Sequence, residues 1–359
     1  MAAKYAFVRI SAALLIMLTI FSCKKENLIE AINPVLHGVK LEVPAGFPVM
    51  TNTPDNPLTA EGIELGRKLF YDVRLSRSNR ISCASCHHQD LAFSDGIALT
   101  TIGESGVKLE RHAPALFNLA WSNTGLFWDG GSKNLESQAF GPLTSADEMH
   151  QDLFELEAEL KQVPEYVTQF RLVFDEDISA ANVVKALSQF QRTLISAGSK
   201  YDHYKRVEAQ LTEQELTGMN LVNAKCKSCH SSELFTDNSY HNNGIDAVFS
   251  DEQEGLFQGR FRVSFDPADR GKFKTPSLRN VLLTAPYMHD GRFKAIDQVL
   301  DHYQSGINIS ATTDPLLYQN DGRPGIPMTL PERQAMLAFL NTLTDHEFIN
   351  NKKISNPFN

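Results

Sequence analysis

The chain has 359 residues, of which 42% are apolar and 21% charged, and this length is enough for two globular units with substantial cores. The formal net charge of −9 excludes nucleic acid as an expected partner, because binding to phosphates needs a surplus of cations. The 21 glycines and 16 prolines lie between the helical stretches, which predicts helices carried on long structured loops.

The N-terminus has the pattern of an export signal. Two cations precede an apolar run of roughly ten residues, which is shorter than the ~20 that a membrane span needs, so residues 1–22 are predicted to be a signal peptide. Residues 20–23 resemble a lipobox, in which Cys23 is lipidated, and residues 23–50 are then a lipid-anchored tether. Ordinary secretion with a free thiol is the alternative. Either way the protein is expected on the periplasmic side of a bacterial membrane, touching that membrane only through its lipid.

A similar helix start occurs in each half of the chain, at Thr59 and at Thr212. Acidic residues follow each threonine, as they follow a helix N-cap, and Thr212 with Glu215 has the spacing of a capping box. The repetition predicts two domains, an N-terminal one at residues 51–205 and a C-terminal one at residues 206–359.

Two Cys-x-x-Cys-His motifs follow these helices, one in each half. The first motif is Cys83, Cys86 and His87, and the second is Cys226, Cys229 and His230. Two thiols at this spacing reach the two vinyl groups of one porphyrin, and the following histidine then lies under the iron as its axial ligand. The motifs predict two covalently bound haem c groups.

Zinc and disulfides are the competing interpretations of the four cysteines. Zinc ribbons separate their two cysteine pairs by some 15 to 20 residues, whereas the pairs here begin at Cys83 and Cys226. An exported chain can form disulfides. Neither alternative gives a reason for a histidine after both pairs, so we favour haem.

Helical periodicity also runs through residues 152–161, 180–195 and 331–343, and no run of alternating strand pattern stands out. The predicted fold class is mainly α, with two cytochrome c-like haem domains and long structured loops.

Three further segments, together with the two motifs, resemble the bacterial di-haem cytochrome c peroxidases, a family that includes MauG. They are Phe-Trp-Asp-Gly at 127–130, Thr-Pro-Ser-Leu-Arg-Asn at 275–280 and Pro-Tyr-Met-His-Asp-Gly at 286–291. The resemblance covers about residues 58 to 343. It implies two c-type domains whose haems meet near an interface, with hydrogen peroxide reacting at the N-terminal, peroxidatic haem and electrons entering through the C-terminal, electron-transfer haem.

The resemblance also implies a catalytic set. Trp128 matches the tryptophan between the haems, and Gln138, Pro142 and Glu148 match the residues of the peroxide pocket. Their chemistry suits these roles, because peroxide cleavage needs a proton taken from one oxygen and given to the other, which is general acid/base work for Glu148. Gln138 can hold water or peroxide, and Pro142 shapes the pocket without offering a ligand. The alternatives are a solvated charge for Glu148 and core packing for Trp128.

The sixth ligand of the second haem is expected at Tyr303, where MauG has tyrosine and other peroxidases of the family have methionine. A phenolate is a hard, anionic ligand that stabilises ferric iron, whereas a thioether favours ferrous iron. Met288 and His302 are competing candidates, and a packed tyrosine is the remaining alternative. Tyr303 indicates the MauG-type branch.

Family members also bind calcium between the haems, through an asparagine side chain and backbone carbonyls that match Thr284 and Pro286. This chain has His112 at the asparagine position, and histidine is a poor ligand for a hard, oxygen-seeking ion. Calcium is still expected.

One departure from the family concerns the resting state. Peroxidases that need prior half-reduction carry a loop histidine that caps the first haem, and the matching position here is Glu104. We expect this carboxylate to stay solvated, so that the site is open or water-bound and the fully ferric enzyme reacts directly.

Three functions are compatible with these features. The favoured one is a peroxidase that reduces hydrogen peroxide with electrons from a small cytochrome c or cupredoxin. The second is a MauG-like enzyme that oxidises residues of a partner protein, although Ala224 stands where MauG has its hopping tryptophan. The third is a non-enzymatic electron carrier. A homodimer is a further expectation.

Overall fold

A computed structural model describes residues 35–50, 53–250 and 255–358. The predicted signal peptide, the lipidation site Cys23 and the first part of the tether lie outside the described residues. No helix in the described ranges is both long and apolar enough to cross a membrane.

Helices dominate both halves, which confirms the predicted class. Those of the first half are α1 Ala60–Tyr71, α2 Leu135–Thr144, α3 Leu153–Lys161, α4 Pro164–Phe174, α5 Ala180–Arg192 and α6 Lys200–Lys205. Those of the second half are α7 Glu213–Lys225, α8 Phe261–Ser264, α9 Ile296–Ser305, α10 Leu330–Thr342 and α11 His346–Ile349. Two short strands, β1 Tyr240–His241 and β2 Phe273–Lys274, pair antiparallel with Tyr240 opposite Lys274.

The predicted helix starts of α1 and α7 are present. The Thr59 side chain accepts a hydrogen bond from the N–H of Gly62, and Thr212 forms a reciprocal capping box with Glu215. Both caps satisfy backbone donors that the first turn leaves without helical partners. Helix α5 ends three residues earlier than the periodicity predicts. The N–H groups of Thr193 and Leu194 bond to carbonyls three residues earlier in the chain, as in a 3₁₀ turn, and not to carbonyls four residues earlier, as in an α-helix.

One helix pair occurs twice. Helix α1 packs on α5 through Gly66, where a Cβ would lie 1.9 Å from the carbonyl oxygen of Ala186. Helix α7 packs on α10 through Gly218, where a Cβ would lie 1.9 Å from the carbonyl oxygen of Ala335. Only glycine permits so close an approach of two backbones. The sequence repetition therefore corresponds to a repeated structural unit.

Each of these two helix pairs packs against its own apolar core. The first cluster gathers around Phe70, Phe93 and Phe190, and the second around Phe235 and Phe339. The C-terminal segment after α10 returns to the first half, because its residues 348 and 354 are buried in the first cluster. The domain boundary at residue 205 stays a prediction.

Candidate functional site

The first motif is a single tight turn whose histidine is fixed by backbone contacts. The N–H of His87 donates to the carbonyl oxygen of Cys83 at 3.0 Å. Its Nδ1 lies 2.8 Å from the carbonyl oxygen of Phe93, so Nδ1 carries the proton and Nε2 keeps its lone pair. Burial lowers the pKa of His87 to about 4. The imidazole is therefore neutral, as a metal ligand must be.

The second motif repeats this geometry at the end of α7. The N–H of His230 donates to the carbonyl oxygen of Cys226 at 3.0 Å. Its Nδ1 lies 3.2 Å from the carbonyl oxygen of Phe235 and 3.1 Å from that of Pro276. Burial lowers the pKa of His230 as well. Both motifs thus present a neutral Nε2 beside a pair of thiols.

This donor set fits two haem groups and not one zinc ion. Cys83 packs against the first core and Cys226 against the second, so the two pairs belong to separate sites. None of the four motif cysteines forms a disulfide, and within the described ranges no three His, Cys, Asp or Glu side chains form a metal-ion site. Haem bound at the motifs would supply an iron centre that reacts with peroxide.

The residues expected in the peroxide pocket come from α2 and the turn after it. Gln138 and Pro142 are four residues apart on α2 and so share one face. The N–H of Glu148 donates to the carbonyl oxygen of Ser145 at 3.1 Å, which folds the turn back on the helix. Burial raises the pKa of Glu148. A hydrogen bond with Ser145 lowers this pKa, but by less, so the net shift is upward. The charge of Glu148 also contributes to raising the pKa of Cys86, after burial and the charge of Asp95.

Trp128 connects the two halves. Its Nε1 donates to the carbonyl oxygen of His112 at 2.9 Å, and its own carbonyl oxygen accepts from the N–H of Lys274 at 2.8 Å. The indole lines a cavity that Gln138 and His230 also line. The structure therefore brings the tryptophan, the predicted pocket glutamine and the second motif to one space.

Two of the three candidate sixth ligands line the same cavity as His230. They are Tyr303, on α9, and Met288. Burial raises the pKa of Tyr303 to about 12, and a hydrogen bond from Asn243 acts in the opposite direction. His302 instead directs its Nε2 at the backbone carbonyl oxygen of Asn243, 2.9 Å away, which is a structural role.

Comparisons with known proteins agree with this arrangement. A family model described as di-haem cytochrome c peroxidase matches residues 60–210. The methylamine utilization protein MauG of Methylorubrum extorquens is 39% identical over 300 residues, which cover 80% of this chain and 79% of MauG. The chain belongs to the di-haem cytochrome c peroxidase family.

Other members of this family extend the likeness. A cytochrome c551 peroxidase of Nitrosomonas europaea is 35% identical over 71% of this chain and 75% of its own length. The crystal structure of a MauG-like protein associated with microbial copper homeostasis superposes with a TM-score of 0.81 at 35% identity, over 89% of this chain and 100% of that chain. The di-haem peroxidase BthA of Burkholderia thailandensis, at 22% identity and a TM-score of 0.69 over 88% of this chain and 96% of that chain, shares the fold.

The residues expected to bind calcium include a histidine, His112. Thr284 and Pro286 line the cavity with His112, but the histidine ring is already engaged. Its Nδ1 lies 2.9 Å from the carbonyl oxygen of Ile97 and its Nε2 lies 3.4 Å from the hydroxyl of Ser94. His112 supplies no side-chain oxygen, so the expectation of calcium rests on the two backbone carbonyls.

Two features of the site were not predicted. The carboxylate of Glu104, which we expect to be solvated, also accepts hydrogen bonds from the N–H and hydroxyl of Ser78, at 3.1 and 2.5 Å. Asn243 donates to the sulfur of Met288 at 3.4 Å and acts to lower the pKa of Tyr303. The sequence signals only a turn at Asn243, because two asparagines precede Gly244 there.

Proposed function

We propose that this chain reduces hydrogen peroxide to water with electrons from a small periplasmic redox protein. The observation that carries the proposal is Glu148, a carboxyl group on the turn after α2 whose pKa is raised by burial. A raised pKa brings a carboxyl group closer to the working pH, where general acid/base catalysis is most effective. Relatives named as cytochrome c peroxidases support the same activity.

Each residue of the proposed pocket has a separate role. With haem bound at the first motif as the source of two electrons, Glu148 would move a proton from one oxygen of hydrogen peroxide to the other as the O–O bond breaks and one water leaves. Two electrons from the donor protein and two protons from solvent would then convert the remaining oxygen to a second water. Gln138 holds peroxide or water in line, and Pro142 shapes the pocket without adding a ligand. Trp128, which lines the cavity with His230, would provide the path along which electrons reach the first site.

We propose covalent attachment of both cofactors, with Cys83 and Cys86 forming thioethers to one haem c and Cys226 and Cys229 to the other. Intact-mass measurement should show two added haem groups on the mature protein. Replacing the cysteine pair of one motif with serine should remove one of them and leave the other. A mass with one haem or none would refute the di-haem assignment.

Rapid mixing of the fully ferric and the half-reduced protein with hydrogen peroxide tests the activity. Steady-state turnover with a reduced small cytochrome c and with a cupredoxin then identifies the class of donor. The proposal expects peroxide-dependent oxidation of at least one donor, with water as the product. Rapid peroxide consumption without donor oxidation would contradict it.

Oxidation of a partner protein is the second candidate, and Tyr303 is the observation that favours it. MauG of Methylorubrum extorquens is 39% identical, and this chain resembles it in carrying tyrosine at that position. Against it, the exposed residue two positions before the second motif is Ala224, which cannot relay an electron to a docked protein. Donor oxidation that is faster than labelling of any partner protein would decide for the peroxidase.

We propose that the protein is anchored on the periplasmic side of the membrane by lipid on Cys23, which lies outside the described residues. The sequence around the cysteine supports this placement. Cys23→Ala should release the protein from the membrane fraction, and retention there would disprove the anchor. Dimerisation remains an expectation from the sequence.

We also propose that the backbone carbonyls of Thr284 and Pro286 contribute to a calcium site. Their shared position on the cavity wall supports this. Metal analysis of the purified protein should find one calcium per chain that chelator removes with a change in the haem spectra. Absence of calcium at millimolar supply would refute the site.

A further inference from the structure

The same turn, Pro-x-Leu-x-Asn, occurs once in each half of the chain, at residues 114–118 and 276–280. Its last residue, Asn118 or Asn280, is buried and has a left-handed backbone conformation, with φ 57° in the first turn and 55° in the second. Asparagine enters this region more readily than most residues. The repeated structural unit therefore includes a turn as well as a helix pair.

Both turns dock in the same way, each just beyond the end of a helix. The N–H of Asn118 donates to a carbonyl oxygen directly after α5 at 2.8 Å, and that of Asn280 to one directly after α10 at 3.1 Å. Two residues further along, the Oδ1 of Asn118 accepts from the N–H of Ser196 at 2.9 Å. In the same way, the Oδ1 of Asn280 accepts from the N–H of Asp345 at 2.8 Å. Ser196 and Asp345 therefore hold equivalent places in the two halves.

These two equivalent residues are hydrogen-bonded to each other. The hydroxyl of Ser196 donates to the Oδ2 of Asp345 at 2.9 Å and accepts from the Nδ2 of Asn280 at 3.0 Å. The carboxylate of Asp345 also accepts from two backbone N–H groups, that of Gly198 at 2.8 Å and that of Phe348 at 2.9 Å. Both Ser196 and Asp345 are fully buried. We refer to this Ser196–Asp345 pair and the two asparagines bound to it as the junction.

Each turn also begins beside a group that holds an axial histidine. The carbonyl oxygen of Pro276, the first residue of the second turn, lies 3.1 Å from the Nδ1 of His230. In the first half, the carbonyl oxygen of Ala113, just before the turn, accepts from the hydroxyl of Ser94 at 3.1 Å. Ser94 directly follows the residue whose carbonyl oxygen binds the Nδ1 of His87. A short segment in each half therefore connects the histidine of the motif to the junction.

We propose that Ser196 and Asp345 are positioning residues that hold the two axial histidines, and with them the two haem sites, in one fixed relation. A buried polar contact specifies a single arrangement, because a shift of one half against the other would leave buried donors and acceptors without partners. The rate of electron transfer between two sites depends steeply on their separation, so a single arrangement gives a single rate. The inference rests on the proposed attachment of haem at both motifs.

Two variants of the haem-loaded protein test the junction. Ser196→Ala removes the hydroxyl that joins the halves. Asp345→Asn places an NH₂ group against at least one N–H donor, because both carboxylate oxygens accept from backbone N–H groups. Pulsed electron paramagnetic resonance measures the separation of the two ferric sites through their dipolar coupling. The wild type should show one narrow distribution of separations, and both variants a broadened or shifted one with the absorption spectrum of each haem unchanged.

Asp72→Asn is the matched control. Asp72 is also a buried aspartate, and it accepts from the hydroxyl of Tyr166 at 2.6 Å and from the guanidinium of Arg74 at 2.8 Å, so its side-chain partners lie within the first half. This variant should lose stability in urea unfolding but keep the wild-type dipolar coupling. The same broadening in Asp72→Asn would show that loss of stability alone causes it, and would overturn the role of the junction.

Flash reduction of the second site provides a second measurement. One electron then passes to the ferric first site, which oxidises the second site by one equivalent and reduces the first by one. The wild type and Asp72→Asn should show a single rate, and the junction variants a spread of rates. A wild-type chain that carries fewer than two haems by intact mass would refute the proposed attachment. Two attached haems, with wild-type coupling and a single rate in Ser196→Ala, the milder change, would overturn only the junction.

Discussion

The backbone N–H of Glu104 donates to the carbonyl oxygen of Glu148 at 2.8 Å. The preceding residue, Gly103, lies so close to this segment that a Cβ would be 1.7 Å from the carbonyl oxygen of Asp147. The loop of Glu104 is thus packed against the segment that carries Glu148, the proposed pocket carboxylate. Any movement of the loop would disturb Glu148.

The packed loop predicts a resting enzyme that needs no activation. The carboxylate of Glu104 is bound by Ser78 and is therefore directed at a backbone turn, not at a metal. The fully ferric protein should contain one high-spin haem and react with hydrogen peroxide without prior reduction, as stopped-flow absorbance and electron paramagnetic resonance can measure. Glu104→Gln, which still accepts from Ser78, should behave like the wild type. Two low-spin haems at rest would mean that another ligand caps the iron.

Glu148→Gln should slow peroxide cleavage by ~10² to 10⁴, the usual range for loss of a general acid/base group. The amide keeps the size of the side chain but cannot accept and return the proton. Both haems should remain attached and spectrally unchanged, which separates a catalytic defect from misfolding. Asp147→Asn is the matched control, because Asp147 is the exposed neighbour. Equal turnover in the Glu148→Gln and Asp147→Asn variants would remove Glu148 from the mechanism.

The raised pKa of Glu148 predicts where activity is lost in acid. Burial raises this pKa, and the like charge of Asp147 adds to the shift. Because the ionised form is needed to take the first proton, kcat/KM for peroxide should begin to fall at a higher pH than for an ordinary glutamate. Asp147→Asn should move this acid limb to lower pH. If the limb were unchanged in Glu148→Gln, another group would be responsible for it.

Part of this site could be predicted from the sequence because the signals are local. The caps at Thr59 and Thr212 and the two cysteine motifs depend on residues within a few positions of each other. Helix α2 was not predicted, because Pro142 lies inside it and proline usually ends a helix. Here the ring lies in the last turn. The missing N–H leaves the carbonyl of Gln138, four residues earlier, without its helical partner.

Helix α9 shows a second reason why the sequence alone does not predict an element. Its N-cap is Ala295, which has no polar side chain and so gives no start signal. The side chain of Gln298 instead accepts from the N–H groups of Lys294 and Ala295, at 2.7 and 3.1 Å. Tyr303 could be proposed as a ligand only through resemblance, and the α9 residue before it, His302, is bonded to the backbone carbonyl of Asn243, 59 positions away. Such contacts depend on tertiary structure.

A buried ion pair outside the site predicts a large effect on stability. The guanidinium of Arg279 is fully buried and donates to both carboxylate oxygens of Asp202 at 2.8 Å. It also lies over the rings of Phe47 and Phe235, at 4.8 and 5.8 Å from their centroids. The pair therefore ties α6 and the segment before α1 to the second core.

Asp202→Ala should lower the free energy of unfolding by about 3–5 kcal/mol, because it leaves the buried charge of Arg279 without a partner. Lys200→Ala, which breaks a more exposed ion pair with Glu215, should cost about 0–1 kcal/mol and is the control.

The same pair predicts how stability depends on pH. Burial acts to raise the pKa of Asp202, but the hydrogen bonds from Arg279 outweigh it and the net shift is downward. A carboxyl group with a lowered pKa stabilises the fold above its ordinary pKa and loses this contribution as the pH falls through the folded value. Urea unfolding followed by circular dichroism should therefore show a wild-type loss of stability in acid that is smaller in Asp202→Ala. Equal acid sensitivity in the two proteins would show that the pair does not hold Asp202 ionised.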